Sequence, residues 1–234
     1  DANVVDGANV NFDLAAGFAP VTHTLTANGT IAGAQLGFRD IHGAISSIDR
    51  EMAPFNAFRA IPAERLGSGL NRLSVSGPDG TSVIRYFKDP VDQNVTFPVA
   101  LQLAQQPTAT AVPYPMVHFM LPTRIDGSDY FFNISSRAPT TTIFHTCFVS
   151  MTSAWREKAS AGAATFAYVM PDFHGLAGWH SGFQLEAGMP LDWSVSVTKS
   201  KNFAWGPSVA PGTFLDRDGT EFQTASASGQ LAMP

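Results

Sequence analysis

The segment LDWSVSV, residues Leu191–Val197, alternates strictly between apolar and polar side chains. Its apolar face comprises Leu191, Trp193, Val195 and Val197, and its other face carries an aspartate and two serines. Side chains that alternate with a period of two are typical of a β-strand with one buried and one exposed face. The segment therefore predicts a strand whose tryptophan belongs to the core.

Two further segments, Val21–Ala27 and Asn94–Leu103, repeat this alternation. Alternation in the second segment predicts inward side chains at Val95, Phe97, Val99, Leu101 and Leu103. Because proline has no backbone N–H to donate, Pro98 indicates an edge strand or a bulge.

Weaker patterns predict eight more strands, and glycine-containing turns separate several of them, as at Ser76-Gly-Pro-Asp-Gly80. These strands are expected at Ile31–Phe38, Leu70–Ser76, Ser82–Phe87, Pro115–Leu121, Tyr130–Ser135, Thr140–Met151, Ala163–Met170 and Thr220–Ala225. Met116–Leu121 and Ile143–Val149 are apolar on both faces, so we expect them between two layers. Short helices are expected from Ser47 to Phe55, from Pro62 to Gly67 and from Ser153 to Ala159.

Many antiparallel strands with few helices favour an all-β fold, an antiparallel β-sandwich of the jelly-roll type, with an irregular β-barrel as the alternative. The 234 residues contain no internal repeat and no linker-like segment. A single β domain over residues 1–234 is therefore the prediction.

The composition is unusual in its charge, since only 14% of the residues are charged, against about 25% in an ordinary soluble domain. Serine, threonine, asparagine and glutamine replace the missing charges, which suits surfaces that neighbouring proteins cover or that lie outside the cell. A net charge of −5 and the absence of Lys and Arg from residues 1–38 disfavour nucleic-acid binding.

No apolar segment is long enough to span a bilayer, because the richest one, Ala111–Leu121, is interrupted by two prolines. The chain begins at Asp1 without a methionine, which favours removal of an upstream segment. Together these features predict an extracellular or virion location. The single cysteine, Cys147, cannot form an internal disulfide.

Two sets of residues are candidate metal ligands. Zinc accepts imidazole and thiolate, and the candidates for it are His145, Cys147, His174 and His180. The alternative is a loop with exposed histidines beside a strand with a buried thiol. Calcium accepts carboxylate oxygens, and the candidates for it are Asp216, Asp218 and Glu221. An ordinary Asp-Gly turn explains the second set equally well, so no cofactor is required.

Catalytic motifs are missing: the sequence has no Gly-x-Ser-x-Gly elbow and no phosphate-binding glycine loop. The candidate catalytic residues are Asp172, His174 and His180, which lie close together in sequence. Trp179 and Trp205 occur in Gly/Pro-rich loops and are candidate ligand or partner contacts. A loop tryptophan also commonly anchors its own loop.

Two functions follow as hypotheses. The first is a structural subunit, a jelly-roll coat or shell protein whose partners are copies of itself or other shell subunits. The second is a secreted β-sandwich that binds or cleaves carbohydrate, so that glycans are its partners. If the chain is an enzyme, a glycan-active hydrolase or lyase is expected.

Overall fold

A computed structural model describes residues 21–40, 44–50, 53–111, 116–122, 129–137, 144–173, 175–179, 185, 188–202 and 217–232. In the first part of the chain the elements are β1 (Val21–Ala27), β2 (Gly33–Arg39), β3 (Ile45–Arg50), β4 (Ala57–Ala60), α1 (Ala63–Leu66), β5 (Leu70–Ser76), β6 (Thr81–Phe87) and β7 (Gln93–Val95). They are followed by β8 (Thr108–Thr110), β9 (Met116–Pro122), β10 (Asp129–Arg137), β11 (Phe144–Met151), α2 (Ser153–Ser160), β12 (Thr165–Val169), β13 (Pro190–Lys201) and β14 (Glu221–Ala232).

The described strands form one large sheet and two small ones. The large sheet is antiparallel and has eight strands in the order β11-β10-β13-β14-β6-β5-β2-β3. The small sheets have the orders β4-β1-β7 and β12-β9-β8. None of these sheets closes into a barrel. The prediction of an all-β antiparallel sandwich is confirmed.

Each small sheet lies over one half of the inner face of the large sheet, and each half has its own core. One core packs Leu25, Phe58 and Val95 of the first small sheet against β2, β5 and β6. The other packs Val117, Phe119 and further residues of the second small sheet against β10 and β13. The two halves are joined by β14, which pairs with β13 along twelve residues and with β6 on its other side.

Alternation located most strands well. β1 and β5 have the predicted bounds, and Trp193 of β13 is buried in the core as expected. Two of the three predicted helices are confirmed, since α1 follows Pro62 and has Gly67 as its C-cap, and α2 begins at Ser153. The side chain of Thr152 caps α2 by accepting a hydrogen bond from the backbone N–H of Trp155.

The predicted strand Asn94–Leu103 is wrong beyond Val95, where β7 ends. Val99, expected to point inward, is 77% exposed. The other predicted inward residues do face the cores, because Val95 and Leu101 are buried and Phe97 and Leu103 are partly buried against them, although the segment after Val95 is irregular. Pro98 removes one donor that a longer ladder would need.

The predicted helix from Ser47 to Phe55 is also wrong. Residues Ile45–Arg50 form β3, which pairs antiparallel with β2. A helix this short is marginal by itself in water, so pairing with an existing sheet edge outweighs the local pattern.

The expectation that Ile143–Val149 lies between two layers is corrected for β11. Phe148 is 76% exposed, and β11 is the end strand of the large sheet in the described residues. Neither described helix has the length and apolar composition to cross a membrane.

Candidate functional site

The outer face of the large sheet, opposite the two cores, carries the first candidate site. Where β10, β13 and β14 run side by side, cross-strand register aligns their outward side chains in three rows. The rows are Ser135–Asp192–Gln230, Asn133–Ser194–Ser228 and Phe131–Ser196–Ser226. We call these nine residues the polar face. Asp192 is the only ionisable residue of the polar face. The polar face therefore carries much less charge than an ordinary protein surface.

A depression of about 370 Å³ opens in the first two rows of the polar face. Its lining is formed by Asn133, Ser135, Asp192, Trp193, Ser194, Ser228, Gly229 and Gln230. At one end the side-chain amide of Gln230 donates a hydrogen bond of 2.9 Å to Asp192 Oδ1. Nearby, Asn133 Oδ1 is buried and accepts no hydrogen bond in the described structure.

The second candidate site is the outer edge of β11. Thr146, Phe148 and Ser150 are exposed, whereas Cys147 is half-buried and packs against the core. The strand FHTCFVSM contains no Lys, Arg, Asp, Glu, Pro or Gly, and it pairs with β10 at all eight positions without a bulge. We call Phe144–Met151 the open edge, because in the described residues nothing pairs with its other side.

The opposite end of the large sheet is built differently. β3 pairs with β2 through a register shift at Leu36 and Gly37, and its sequence includes Asp49 and Arg50. Bulges and charges are the usual means by which an edge strand avoids pairing with other chains. The end strands of the small sheets have five residues or fewer. Among the described end strands, β11 is therefore the one that is long, regular in its pairing and without Lys, Arg, Asp or Glu.

A thiol and a phenol lie beneath the open edge. Burial raises the pKa of Cys147 above its usual value. The pKa of Tyr168 is raised to about 12, mainly by burial and to a smaller extent by the neighbouring Cys147. The Tyr168 hydroxyl is buried without a hydrogen-bond partner in the described structure. A thiol with a raised pKa is a poor nucleophile at neutral pH, so this pair does not resemble an activated catalytic cysteine.

The structure places only part of the zinc candidate set. Cys147 is positioned as described above, while for His145 only the strand is described. His174 and His180 lie outside the described residues. Across the part of the chain that is described, no three His, Cys, Asp or Glu side chains come together to hold a metal ion.

The calcium candidates that are placed already have protein partners. Glu221 forms an ion pair with Arg85 of β6 and accepts a hydrogen bond of 2.9 Å from Gln223. Asp218 Oδ1 accepts a hydrogen bond of 3.0 Å from the backbone N–H of Lys88. Asp216 lies outside the described residues. The Asp-Gly turn itself is confirmed, with a φ of 79° at Gly219. The carboxylates of Asp218 and Glu221 connect this turn and the start of β14 to the end of β6.

The remaining candidates lie near the end of β12. Asp172 is exposed. The Trp179 ring centroid is 5.1 Å from that of Phe173, so this tryptophan packs partly on its own loop. Trp205, like His174 and His180, lies outside the described residues. Of the three candidate catalytic residues, the structure therefore places only Asp172.

Sequence reasoning missed Asn133, Gln230 and Phe148 as site residues. For Asn133 the available signal was a polar side chain within the predicted strand Tyr130–Ser135, whereas Gln230 lies beyond the predicted strand Thr220–Ala225 and Phe148 lies in a segment that is apolar on both faces. A single sequence does not give strand order, so the alignment of β10, β13 and β14 was not predictable.

No protein-family model matches the chain, and no curated protein matches it. Several solved structures resemble it distantly, and two of them are described as a cytokine receptor complex. The first, crystal form 1A, has a TM-score of 0.25 and 13% identity, and the match covers 91% of this chain and 96% of that one. The second, crystal form 2, has a TM-score of 0.23 and 12% identity, and covers 76% of this chain and 89% of that one. Similarity this low carries no functional argument.

Proposed function

We propose that this protein is a structural subunit of a larger assembly, of the coat or shell type, that works through contacts with copies of itself. The observation that carries the proposal is the open edge of β11. A virion or extracellular location belongs to the same proposal.

An unpaired edge strand presents a row of backbone N–H and C=O groups that can pair with another strand. Monomeric proteins usually block such edges with lysine, proline, bulges or short length. The open edge has eight residues, regular register and none of these blocks. Its exposed Phe148 adds apolar area beside the backbone groups.

The favoured partner is a second copy of the same strand. Like charges placed opposite each other destabilise paired strands, and the open edge has no Lys, Arg, Asp or Glu to repel its own copy. Antiparallel pairing about a two-fold axis would continue the large sheet from one subunit into the next. Such an interface is isologous, the commonest kind in soluble oligomers.

The experiment compares two lysine substitutions at exposed apolar positions. Phe148→Lys introduces a charge on the open edge, and Val91→Lys, at a residue 57% exposed in a loop, is the matched control. Light scattering after size-exclusion chromatography should give multiples of 25.0 kDa for the unchanged chain and for Val91→Lys. The expected mass of Phe148→Lys is that of a smaller species. A monomeric unchanged chain, or identical masses for both variants, would refute the proposal.

A further inference from the structure

We propose that the depression in the polar face binds a neutral, polyhydroxylated ligand, a sugar ring of a glycan. This inference concerns the face of the large sheet and does not depend on pairing at its edge. A subunit that assembles through β11 would keep this face open to a ligand.

Hydrogen bonding gives the first reason. Asn133 Oδ1 is buried at the depression and accepts no hydrogen bond in the described structure. An unpaired buried acceptor destabilises the free protein, and a ligand hydroxyl would satisfy it. Around it, the side chains of Ser194, Ser228 and Gln230 supply both donors and acceptors. Such a set matches a molecule whose hydroxyl groups donate and accept in turn.

Charge gives the second reason. The lining includes one carboxylate, Asp192, and none of its residues is basic. An anionic ligand such as a phosphate or a sialylated sugar would be repelled by Asp192 without a compensating cation. A single carboxylate that already accepts from Gln230 is also a poor cation site. A neutral ligand is therefore favoured.

An aromatic side chain next to the depression gives the third reason. Phe148 of β11 is paired directly opposite Asn133 of β10, one strand beyond the lining residues, and is 76% exposed. An exposed ring offers a flat apolar surface on which the C–H face of a sugar can lie. The amide and hydroxyl side chains of the depression would then form hydrogen bonds with the hydroxyl groups of the same sugar. The volume of about 370 Å³ lies at the small end of the range for ligand sites, about 300–1,000 Å³.

The test uses the full chain labelled with ¹⁵N and four probes, the methyl glycosides of glucose, galactose, mannose and N-acetylglucosamine. Amide shifts are followed by NMR during titration to millimolar concentrations. At least one glycoside should shift amides of Asn133–Ser135, Asp192–Ser194 and Ser228–Gln230 with saturation. Sialyllactose compared with lactose tests the preference for a neutral ligand. If no glycoside saturates, if the shifts lie elsewhere, or if sialyllactose binds more tightly, the proposal is wrong.

Two substitutions connect the shifts to the site. Gln230→Ala and Asn133→Leu should each weaken binding about tenfold, the effect of one lost hydrogen bond of about 1.4 kcal/mol. Ser226→Ala, on the same face one row beyond the depression, is the control and should bind as the unchanged chain does. Gln230 is exposed, so its variant is informative even if Asn133→Leu fails to fold. Unchanged affinity in Gln230→Ala overturns the assignment, whereas the masses of the β11 variants test assembly separately.

Discussion

The indole of Trp193 lies against the backbone of Gly229, its register partner on the neighbouring strand. A Cβ added to Gly229 would be 2.9 Å from Trp193 Cζ2 and 3.1 Å from Cε2. The ring has little room to retreat, because it is 5% exposed and packs edge-on against Phe119 with 6.0 Å between centroids. Glycine at this position therefore lets the tryptophan fill the core beneath β13 and β14.

Gly229→Ala is expected to lower the free energy of unfolding by about 1–3 kcal/mol, as overpacking of a core does. The gain from restricting the unfolded backbone, about 0.4–1 kcal/mol, is smaller. Urea unfolding of the variant measures the difference. Ser228→Ala, at the adjacent outward position, serves as the control and should change stability by no more than about 0.5 kcal/mol. A Gly229→Ala protein as stable as the unchanged one would contradict this packing.

Tyr168 is expected to ionise at about pH 12 because its phenol is buried. Its pKa is raised in the folded state, so the neutral phenol favours the fold relative to the ionised one, and this contribution is complete below the unfolded pKa of about 10. That contribution is lost as pH rises toward 12. Ultraviolet titration should show one tyrosine step near pH 12 that Tyr168→Phe removes.

Because the Tyr168 hydroxyl is buried without a partner in the described structure, Tyr168→Phe should leave stability unchanged or raise it by up to about 1 kcal/mol. Thermal unfolding at neutral pH measures this change. A loss of stability would show that the hydroxyl has a partner in solution.

The turn between β5 and β6 should respond to acid through Asp79. A hydrogen bond of 2.6 Å from the Thr81 hydroxyl is the main reason that the pKa of Asp79 lies below 3.8. The sign follows from linkage: the contribution is present above the ordinary value and is lost as pH falls through the lowered one. In Thr81→Val the pKa of Asp79 should rise toward 3.8, as seen by NMR titration of its carboxyl carbon. Ser82→Ala, which leaves the bond intact, should not move it; an unmoved pKa in Thr81→Val contradicts the assignment.

Burial on one face explains why the sequence predicted so much of the fold. On β13 every second residue from Leu191 to Val197 is apolar and buried because that face meets a core, and Leu73 and Val75 of β5 follow the same rule, so period-two alternation marks these strands. Alternation failed at Val99, where an apolar residue lies at the surface of an irregular segment. The predicted helix beginning at Ser47 failed for another reason, because pairing with β2 decides the structure of Ile45–Arg50 and local propensity does not.

The candidate sites depend on relationships that no local pattern contains. Asn133, Asp192 and Gln230 come from three strands, and only the order β10-β13-β14 brings them to one depression. The open edge likewise follows from the end position of β11, because the same apolar strand placed inside a sheet would present no free backbone. The sequence instead indicated candidate site residues in loops rich in aromatic residues and histidine, because these residue types are chemically distinctive.

Cysteine cross-linking at β11 tests the pairing of subunits most directly. Each variant has one cysteine, placed at one of the residues 146–150. The variant at position 147 keeps the native Cys147, and the others also carry Cys147→Ser. Each variant is oxidised alone and in mixtures of two. Residues opposite each other in paired strands have Cα atoms about 4.5–5.5 Å apart, within the range that a disulfide spans. We predict rapid covalent dimers for the positions nearest the two-fold axis. If no position on β11 cross-links faster than a Val91→Cys control, the open edge does not join two copies of this chain.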